Sequence, residues 1–480
     1  MNKTLKNITY VAGQQFVNTV LPFLTIPYIA RVLGIEQNGI YSYTLTIVNL
    51  FAVFFCFGFA VHGVNTIAQS KKNLQKINYL EIQVLQISFL FLGILIFLFF
   101  VTVYPVKVNK AILILQGLIL LVNFFDNSWY YQGIGDFKKI VTRNVIVKLV
   151  GTLSVFVFVK DPKDLWLYIT LVNGSQLLGN ILLFHKTLHL FKYFKLIQIK
   201  RLVSHVKVSF FLFLPNISVL IFSSFDKILL GSSGNITDLA NYQQVQRIIA
   251  FAYSLLMIPS PVMIQKIASL RSVSQNKEAD SVVRFGLNMY IILGSFFIFG
   301  VVLCSKEFIY LFLGAEYHGA INLFIIMSPI LIIKTVGGVI GGWYLVPLGR
   351  NVLHSIPLLV GTCVSVSLNI LITPLLGVNA SAVILVLTEL TVVIIQFLYS
   401  RQLYYFFDKK RILIFISIFS CSFLVLNLLS ELIFVDRLDS IFLKLIINSV
   451  IFVFFSFCMS YLIKSTRLFL KDTVNLLKER

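Results

Sequence analysis

The sequence predicts an all-α integral membrane protein with about 14 transmembrane helices. They form two six-helix lobes around a central cleft, followed by two extra C-terminal helices. The composition is the first reason, because 58% of the 480 residues are hydrophobic, more than a soluble core needs to bury. The others are apolar runs of membrane-span length throughout the chain, and an internal repeat with an offset of roughly 200 residues.

Fourteen apolar segments have the length of roughly 18–25 residues that a bilayer core requires. Their predicted limits are 10–31, 40–67, 80–104, 110–133, 144–160, 165–185, 208–230, 239–264, 285–304, 321–346, 353–373, 379–400, 412–432 and 439–463. We number these spans 1 to 14.

The positive charge orients the spans. With the N-terminus in the cytoplasm, and with residues near a span end counted in the adjoining loop, 29 of the 40 lysines and arginines fall in cytoplasmic segments, seven in the opposite loops and four within spans. Such an excess is typical of cytoplasmic loops. Both termini are therefore predicted to be cytoplasmic. The net charge of +21 then indicates contact with membrane lipids, and no nucleic-acid partner is expected.

The internal repeat pairs span 4 with span 10, span 5 with span 11 and span 1 with span 7. The matching segments, in chain order, are 31–34 with 227–231, Trp129-Tyr130 and Gly135 with Trp343-Tyr344 and Gly349, Arg143-Asn144-Val145 with Arg350-Asn351-Val352, and Val150-Gly151-Thr152 with Val360-Gly361-Thr362. Six spans separate the copies, so both enter the membrane from the same side. This indicates a parallel repeat of two lobes.

The repeat and the charge pattern together divide the chain. The predicted domains are an N-lobe at 1–190, a cytoplasmic amphipathic linker at 191–207, a C-lobe at 208–402, spans 13 and 14 within 403–463, and a basic cytoplasmic tail at 464–480. The linker and the tail alternate basic with apolar residues, which is typical of segments that lie on an anionic leaflet.

Ionisable residues inside spans are candidate site residues, because a charge at mid-bilayer costs about 3 kcal/mol. Arg247, Lys334 and Glu389 lie near the middle of spans 8, 10 and 12, and Asp126 lies toward the cytoplasmic end of span 4. Lys227 lies near the outer end of span 7, where snorkelling of a helix-end lysine is an equal interpretation.

The same ionisable residues also have purely structural interpretations. Arg247, Lys334 and Glu389 are also explained by a salt bridge inside one lobe. Asp126 is also explained as a hydrogen-bonding hub with Asn123 and Asn127.

The functional interpretation is a cleft whose second-lobe wall carries the cations Arg247, Lys334 and Lys227, which favours an anionic cargo such as a phosphate. Asn123 and Asn173 of the first lobe are candidates for hydrogen bonds to hydroxyl groups. The hinge candidates are Pro22, Pro27 and Pro215 in the first helix of each lobe, since proline removes a helix hydrogen bond. A static kink explains the prolines equally well.

The segment from Asp126 to Lys148 carries a family resemblance. Asp126, Trp129-Tyr130-Tyr131, Gln132-Gly133, Phe137-Lys138-Lys139-Ile140 and Arg143-Asn144 resemble the polysaccharide (O-antigen and capsule) flippases of the multidrug/oligosaccharidyl-lipid/polysaccharide exporter superfamily. Further similar stretches are 27–34, 226–231, 308–314 and 344–350, so the resemblance covers about residues 5–402. The sequence departs from the family pattern at Gly135 and at 378–380.

The resemblance implies a transporter, not an enzyme, in a bacterial plasma membrane. Its implied cargo is an oligosaccharide repeat unit on polyprenyl pyrophosphate, moved from the inner to the outer leaflet by alternating access for capsule, O-antigen or exopolysaccharide synthesis. The implied partners are membrane lipids and the polysaccharide polymerase and glycosyltransferases of the same pathway. No cofactor or metal is expected. We hypothesise that Arg247, Lys334, Arg31 and Lys227 meet the pyrophosphate or acidic sugars, and that Asp126 and Glu389 couple to a proton or sodium ion.

Three alternatives stay open at this point. A peptidoglycan-precursor lipid flippase and an ion-coupled multidrug exporter belong to the same superfamily. An exporter of cations would favour acidic intramembrane residues, whereas cations prevail here. A membrane polysaccharide polymerase or ligase is the alternative of another class, but such enzymes need a sizeable outer loop with carboxylates, arginines or histidines. The predicted outer loops are short.

Overall fold

The computed structural model describes residues 3–104, 108–432 and 440–462, and within these ranges the protein is helical without a β-strand. The first eight helices are α1 Lys3–Cys56, α2 Phe59–Gln69, α3 Lys72–Val103, α4 Lys110–Gln116, α5 Leu118–Phe124, α6 Ser128–Gly133, α7 Phe137–Phe158 and α8 Leu165–His185. The predicted basic tail at 464–480 lies outside the described residues.

The remaining helices follow a 3₁₀ segment, Leu188–Leu196. They are α9 Ile199–Ser233, α10 Ile236–Leu256, α11 Ser260–Ser272, α12 Asn276–Phe312, α13 Ala320–Met327, α14 Ile330–Gly338, α15 Asn351–Tyr399, α16 Lys409–Leu432 and α17 Ile441–Leu462. A π-helical segment, Val339–Leu345, continues α14, and the second of two longer 3₁₀ segments, Arg401–Phe406, follows α15. Two further 3₁₀ segments, Pro162–Asp164 and Ala315–Tyr317, contain three residues each.

By length and composition, eight helical segments of the described chain are able to cross a membrane, or ten if each of two bent pairs is one span. Two of the eight, Val20–Gln69 and Asn351–Tyr399, contain 50 and 49 residues. A helix of that length extends about 75 Å, more than twice the bilayer core. Each is interrupted by a glycine in the left-handed region, Gly34 (φ 73°) or Gly377 (φ 71°). Each is therefore long enough for two passages. The count of fourteen and the position of the termini stay predictions.

The spans that carry the strongest repeat signal are both irregular. The predicted span 4 consists of α4, α5 and α6, which are interrupted at Gly117 and at 125–127. The predicted span 10 consists of α13, α14 and the π-helical segment. Interrupted helices in a membrane are tolerated where protein surrounds them and satisfies the freed backbone groups.

Packing divides the chain into two compact units. Unit 1 is Met1–Gln243 with Thr362–Ser381, and unit 2 is Gln244–Gly361 with Ala382–Arg480. The lobe boundaries from the sequence stay a prediction, because they follow the repeat, whereas this division follows the packing of neighbouring helices.

Two hydrophobic clusters hold unit 1 together. One joins α1, α7 and α8 and includes Leu33, Val155 and Ile169. The other joins α2, α3, α6 and the first 3₁₀ segment, and includes Tyr79 and Trp129. Since the residues are almost fully buried, these contacts fix the helices that carry the polar groups of unit 1.

Unit 2 has corresponding clusters. Its larger one joins α11, α12, the π-helical segment and the second 3₁₀ segment, and includes Ile267, Leu287, Trp343 and Leu403. A smaller cluster packs α16 against α12, with Phe415 and Phe419 on one side and Ile292 on the other.

The structure shows the repeat in the backbone that follows each tryptophan. Gly135 (φ 76°) and Gly349 (φ 72°) are both left-handed. The amide of Gly135 donates to the carbonyl of Gln132, and the next amide donates to Tyr131. In unit 2, Gly349 donates to Val346, and the next amide donates to Leu345. With φ in this region, glycine is the least strained residue. The conserved spacing of the two segments therefore reflects one turn geometry used twice.

Both tryptophans also pack against a glycine. A Cβ atom on Gly63 of α2 would collide with the Trp129 ring, and one on Gly286 of α12 would collide with the Trp343 ring. Each indole nitrogen donates to a polar side chain on a second helix, at 3.0 Å from Gln86 Oε1 and at 2.7 Å from Ser260 Oγ.

The two 3₁₀ segments are a further match between the units. The amide of Leu190 donates to the carbonyl of Thr187, and the amide of Leu403 donates to that of Ser400. Leu190 and Leu403 are buried in the clusters that hold the tryptophans. In both units, a long helix is therefore followed by a short 3₁₀ segment that buries a leucine.

Candidate functional site

The segment from α13 to the π-helical segment is the most buried of the candidate membrane spans in the described residues. Ser328-Pro329 separates α13 from α14, and the glycine pair Gly337-Gly338 ends α14. A Cβ on Gly337 would lie 2.9 Å from Val393 of α15, and one on Gly338 would lie 2.7 Å from Met257, the residue after α10. The glycines therefore let two helices approach this span closely.

Lys334 lies one turn before the glycine pair, and it forms an ion pair with Glu389 of α15. The distance between Lys334 Nζ and Glu389 Oε1 is 2.9 Å. The Glu389 side chain is 7% exposed and the Lys334 side chain is 42% exposed. A buried carboxylate in an apolar helix requires such a partner. The pair thus neutralises Glu389 while part of Lys334 remains accessible.

Tyr253 of α10 completes a third side of this pair. Lys334 Nζ lies 5.9 Å from the centre of the Tyr253 ring, at the outer limit of a cation–π contact. The Tyr253 hydroxyl lies 3.4 Å from the place where a Cβ on Gly338 would be. The ammonium group is therefore bounded by one carboxylate and one aromatic face.

Further polar groups line the same side of α15 and the π-helical segment. Gln396 is two turns beyond Glu389, and a Cβ on Gly341 would meet its amide and the imidazole of His354. The Oε1 atom of Gln396, Nδ1 of His354 and Oγ1 of Thr388 are buried without a hydrogen-bond partner. Such groups cost free energy unless they serve a ligand or a second conformation.

The π-helical geometry of Val339–Leu345 is a second sign of function. Such segments are rare and occur frequently at functional sites. Here the segment carries Gly341 and Gly342 directly after the glycine pair of α14. Four glycines at 337–342 thus follow Lys334, while Trp343 and its neighbours anchor the segment in the core of unit 2.

The structure does not place Arg247 on the same face of α10 as Tyr253. Arg247 is half-buried and lies six residues before Tyr253, which corresponds to about 240° around a helix. Of the three predicted intramembrane charges of unit 2, the structure thus shows Lys334 and Glu389 as an ion pair.

Asp126 and Asn123 of unit 1 belong to a hydrogen-bonded corner between α5 and α6. Asp126 Oδ1 accepts from the amide of Ser128 at 2.9 Å. The carbonyls of Asn123 and Asp126 both accept from Nε2 of Gln86, at 2.9 and 2.8 Å. Asn123 Nδ2 donates to the carbonyl of Ile119. These contacts stabilise the corner, and the coupling role of Asp126 stays a prediction.

The other predicted residues of unit 1 are spread over three helices. Arg31 is exposed on α1, Lys227 is half-buried on α9, and Asn173 is buried on α8 with Nδ2 lacking a hydrogen-bond partner. Beside Lys227, the buried carboxylate of Asp226 accepts a hydrogen bond from the Tyr242 hydroxyl. The predicted contacts of Arg31, Lys227 and Asn173 with cargo stay predictions.

The predicted hinges lie in helices whose geometry differs. Pro22 and Pro27 lie inside α1, where the one departure from helical φ and ψ angles is at Gly34. The axes of Ile199–Leu214 and Ile217–Ser233, on either side of Pro215, differ by 51°. The side chain of Pro215 lies outside what the structure describes. A hinge motion at the three prolines stays a prediction.

Sequence reasoning missed the polar groups that surround the intramembrane charges. The residues not predicted are Tyr253, His354 and Gln396 of unit 2 and Gln86 of unit 1. Gln396 and Gln86 are polar residues within apolar runs, and that was the signal available for both.

The matches with known proteins agree with this structure. The chain is 22% identical over 340 residues to a protein of Escherichia coli (strain K12) named "Putative O-antigen transporter", covering 70% of this chain and 82% of that protein. It is 23% identical over 352 residues to the protein of the same name from Shigella dysenteriae, covering 72% and 87%.

Among solved structures, the lipid II flippase MurJ in an inward closed conformation superimposes with a TM-score of 0.74 at 16% identity, over 96% of this chain and 98% of that chain. The chain therefore shares its fold with a lipid II flippase. The family model described as "Polysaccharide biosynthesis protein" matches residues 4–264. That range is more than half of the chain. The chain is a multi-pass membrane protein that belongs to the polysaccharide biosynthesis protein family.

Proposed function

We propose that this protein moves an oligosaccharide linked to polyprenyl pyrophosphate from the inner to the outer leaflet of a bacterial plasma membrane. The family and the names of its relatives support a transporter of polysaccharide precursors. The lipid tail of such a cargo can stay in the bilayer, whereas its sugars and pyrophosphate need a polar route.

The observation that carries the proposal is the ion pair of Lys334 with Glu389. A phosphate group bears more negative charge than one carboxylate, so it competes with Glu389 for the ammonium of Lys334, whose side chain is partly exposed. When the phosphate binds Lys334, the carboxylate of Glu389 loses its partner, and protonation removes the cost of burying its charge. The pair is therefore a site where an anionic cargo and a proton exchange.

The glycine-rich π-helical segment supplies the conformational part of the proposal. It directly follows the helix that carries Lys334. A change in the charge state of Lys334 and Glu389 alters the force that holds α14 against α15, and the adjacent backbone is able to adapt. The contributions of Arg247, Arg31 and Lys227 to pyrophosphate binding belong to the same proposal.

The test is export of surface polysaccharide by a bacterial strain that lacks its own repeat-unit flippase. We expect Lys334→Gln to reduce export at least about tenfold at equal protein level, and the double variant Arg247→Gln/Lys334→Gln to abolish it. Lys444→Gln is the matched control, because it removes an intramembrane lysine near a span end. Normal export by the double variant would overturn the proposed role of the cations.

A lipid-linked peptidoglycan precursor is a second candidate cargo. The observation that favours it is the fold likeness to a lipid II flippase over almost the whole chain. Both cargoes present a pyrophosphate to Lys334, so the site does not distinguish them. Rescue of growth in a strain depleted of its own lipid II flippase would favour the second cargo, and rescue of surface polysaccharide alone would favour the first.

A further inference from the structure

Two histidines and a glutamate from three different helices form a continuous hydrogen-bonded chain inside unit 1. His62 Nε2 of α2 lies 2.8 Å from His205 Nδ1 of α9. His205 Nε2 lies 3.2 Å from Glu81 Oε2 of α3. The Glu81 side chain has no exposed surface and that of His205 is 13% exposed. The chain therefore joins three helices through buried titratable groups.

The geometry limits the number of protons that these three side chains can bind. Two imidazole nitrogens 2.8 Å apart share one proton, because one must donate and the other accept. In the neutral form, His62 donates to His205 through Nε2, and His205 donates to Glu81 through Nε2. Each of the two short contacts is then satisfied.

One additional proton is accommodated without breaking either contact. When His62 binds a proton at Nδ1, its Nε2 proton passes to Nδ1 of His205. His205 is then an imidazolium that donates to His62 on one side and to the Glu81 carboxylate on the other. A second additional proton would place two cationic rings in contact and break their hydrogen bond. The three side chains can therefore bind one additional proton.

One further charged side chain lies beside Glu81, and two lysines lie on elements of the same hydrophobic cluster. Arg201 of α9 lies 3.7 Å from Glu81 Oε1 and opposes a second cation there. Lys76 of α3 and Lys192 of the first 3₁₀ segment both lie over the ring of Tyr193. Helix α2 contributes His62 as its one ionisable side chain.

A metal ion is a poor alternative ligand. The described residues contain no group of three or more histidine, cysteine, aspartate or glutamate side chains arranged to hold one. The Nε2 atom of His62 and the Nδ1 atom of His205 are at hydrogen-bond distance, which leaves no space for an ion between them.

We propose that His62, His205 and Glu81 form a binding site for a single proton, and that its occupancy controls how tightly α9 is held to α2 and α3. In the proton-bound form, the imidazolium of His205 and the carboxylate of Glu81 carry opposite charges, so their hydrogen bond gains a Coulombic attraction. In the proton-free form the same contact is neutral on the histidine side. Helix α9 is therefore held more firmly at low pH and is released as the pH rises.

The site lies apart from Lys334 and Glu389 in the chain, and the proposal goes beyond the proposed transport. A backbone contact also joins the start of α9 to α3. The amide of Gln198, which precedes α9, lies 3.4 Å from Glu81 Oε1. Loss of the proton therefore loosens the first turns of α9 where the chain leaves the 3₁₀ segment.

The test is the protonation of ¹⁵N-labelled histidine followed by solid-state NMR in liposomes of phosphatidylethanolamine and phosphatidylglycerol, between pH 5 and 8, where imidazoles ordinarily titrate. The variant His205→Gln identifies the His205 signal. We expect Glu81→Gln to lower the proton affinity of His205 at least about tenfold, His62→Phe to lower it at least about threefold, and Arg201→Gln to raise it. His189→Gln, an exposed histidine of the 3₁₀ segment, should change nothing.

Each outcome decides the proposal. Titration of His205 that is unaffected by His62→Phe and Glu81→Gln would overturn it, and an effect of Glu81→Gln alone would overturn the shared two-ring site. Amide hydrogen exchange of 199–206, corrected for the intrinsic pH dependence, should be slower in the proton-bound form of the native chain. If Glu81→Gln does not fold, His62→Phe and the native chain carry the test. No cargo is present, so failure here leaves the proposed transport untouched.

Discussion

Gln83 and Gln86 lie one turn apart on α3 and have opposite surroundings. Gln86 bonds two backbone carbonyls and the Trp129 indole. Gln83 is fully buried, and both polar atoms of its amide lack a hydrogen-bond partner. We expect Gln86→Leu to lower the free energy of unfolding by about 2–4 kcal/mol, because it leaves buried groups unsatisfied. Gln83→Leu should be neutral or stabilising. Thermal unfolding in detergent measures both, and equal effects would contradict the assignment of hydrogen bonds.

The ion pair of Lys334 with Glu389 makes a second prediction at the scale of single residues. Lys334→Met should destabilise the protein by about 1–3 kcal/mol, less than a fully buried pair would, because the lysine is partly exposed. The double variant Lys334→Met/Glu389→Leu should recover most of that loss, since no uncompensated charge remains.

Thermal unfolding of the single and double variants decides whether the pair is coupled. Additive losses in the double variant would show that the two side chains act independently. We expect the double variant to be stable but inactive in export, which separates the structural from the functional contribution of the pair.

At the scale of helices, the glycine–tryptophan contacts determine how closely neighbouring elements approach. Gly63→Ala and Gly286→Ala should each lower the free energy of unfolding by about 1–3 kcal/mol, because the new methyl group would overlap an indole ring. Gly174→Ala in α8 is the matched control. It has nothing within 4 Å of the added atom and should be neutral or stabilising. Similar unfolding temperatures for all three variants would refute the close contact.

At the scale of the whole molecule, the parallel repeat predicts the sidedness of two equivalent positions. Lys138 and Val352 are both exposed and lie nine residues after their tryptophans. In a chain whose own cysteines are replaced, Lys138→Cys and Val352→Cys should both react with a membrane-impermeant maleimide from the cytoplasmic side. Lys163→Cys should react from the outside. Reaction of the first two from opposite sides would contradict the parallel repeat.

The sequence predicted the membrane class, the repeat and the individual charges, because each can be recognised from the composition or the order of residues along the chain. It did not predict which charges meet. Lys334 and Glu389 are 55 residues apart, and their contact depends on the rotation of α14 and α15 about their axes. The Glu81 site was missed for a related reason, since its members come from three helices. Thr187 and Ser400 begin equivalent 3₁₀ segments with unlike sequences, so the similarity of the two segments is visible only in the fold.

The π-helical segment has a consequence for the evolution of this span. A π turn holds about one residue more than an α turn, so it is equivalent to a one-residue insertion absorbed without breaking the helix. The side chains after Val339 are thereby rotated by about 100° relative to those before it. Loss of a single glycine would return the span to regular phase, and Trp343 would then face away from the glycine and serine that hold it. A one-residue insertion or deletion in this span would therefore change which neighbours Trp343 contacts.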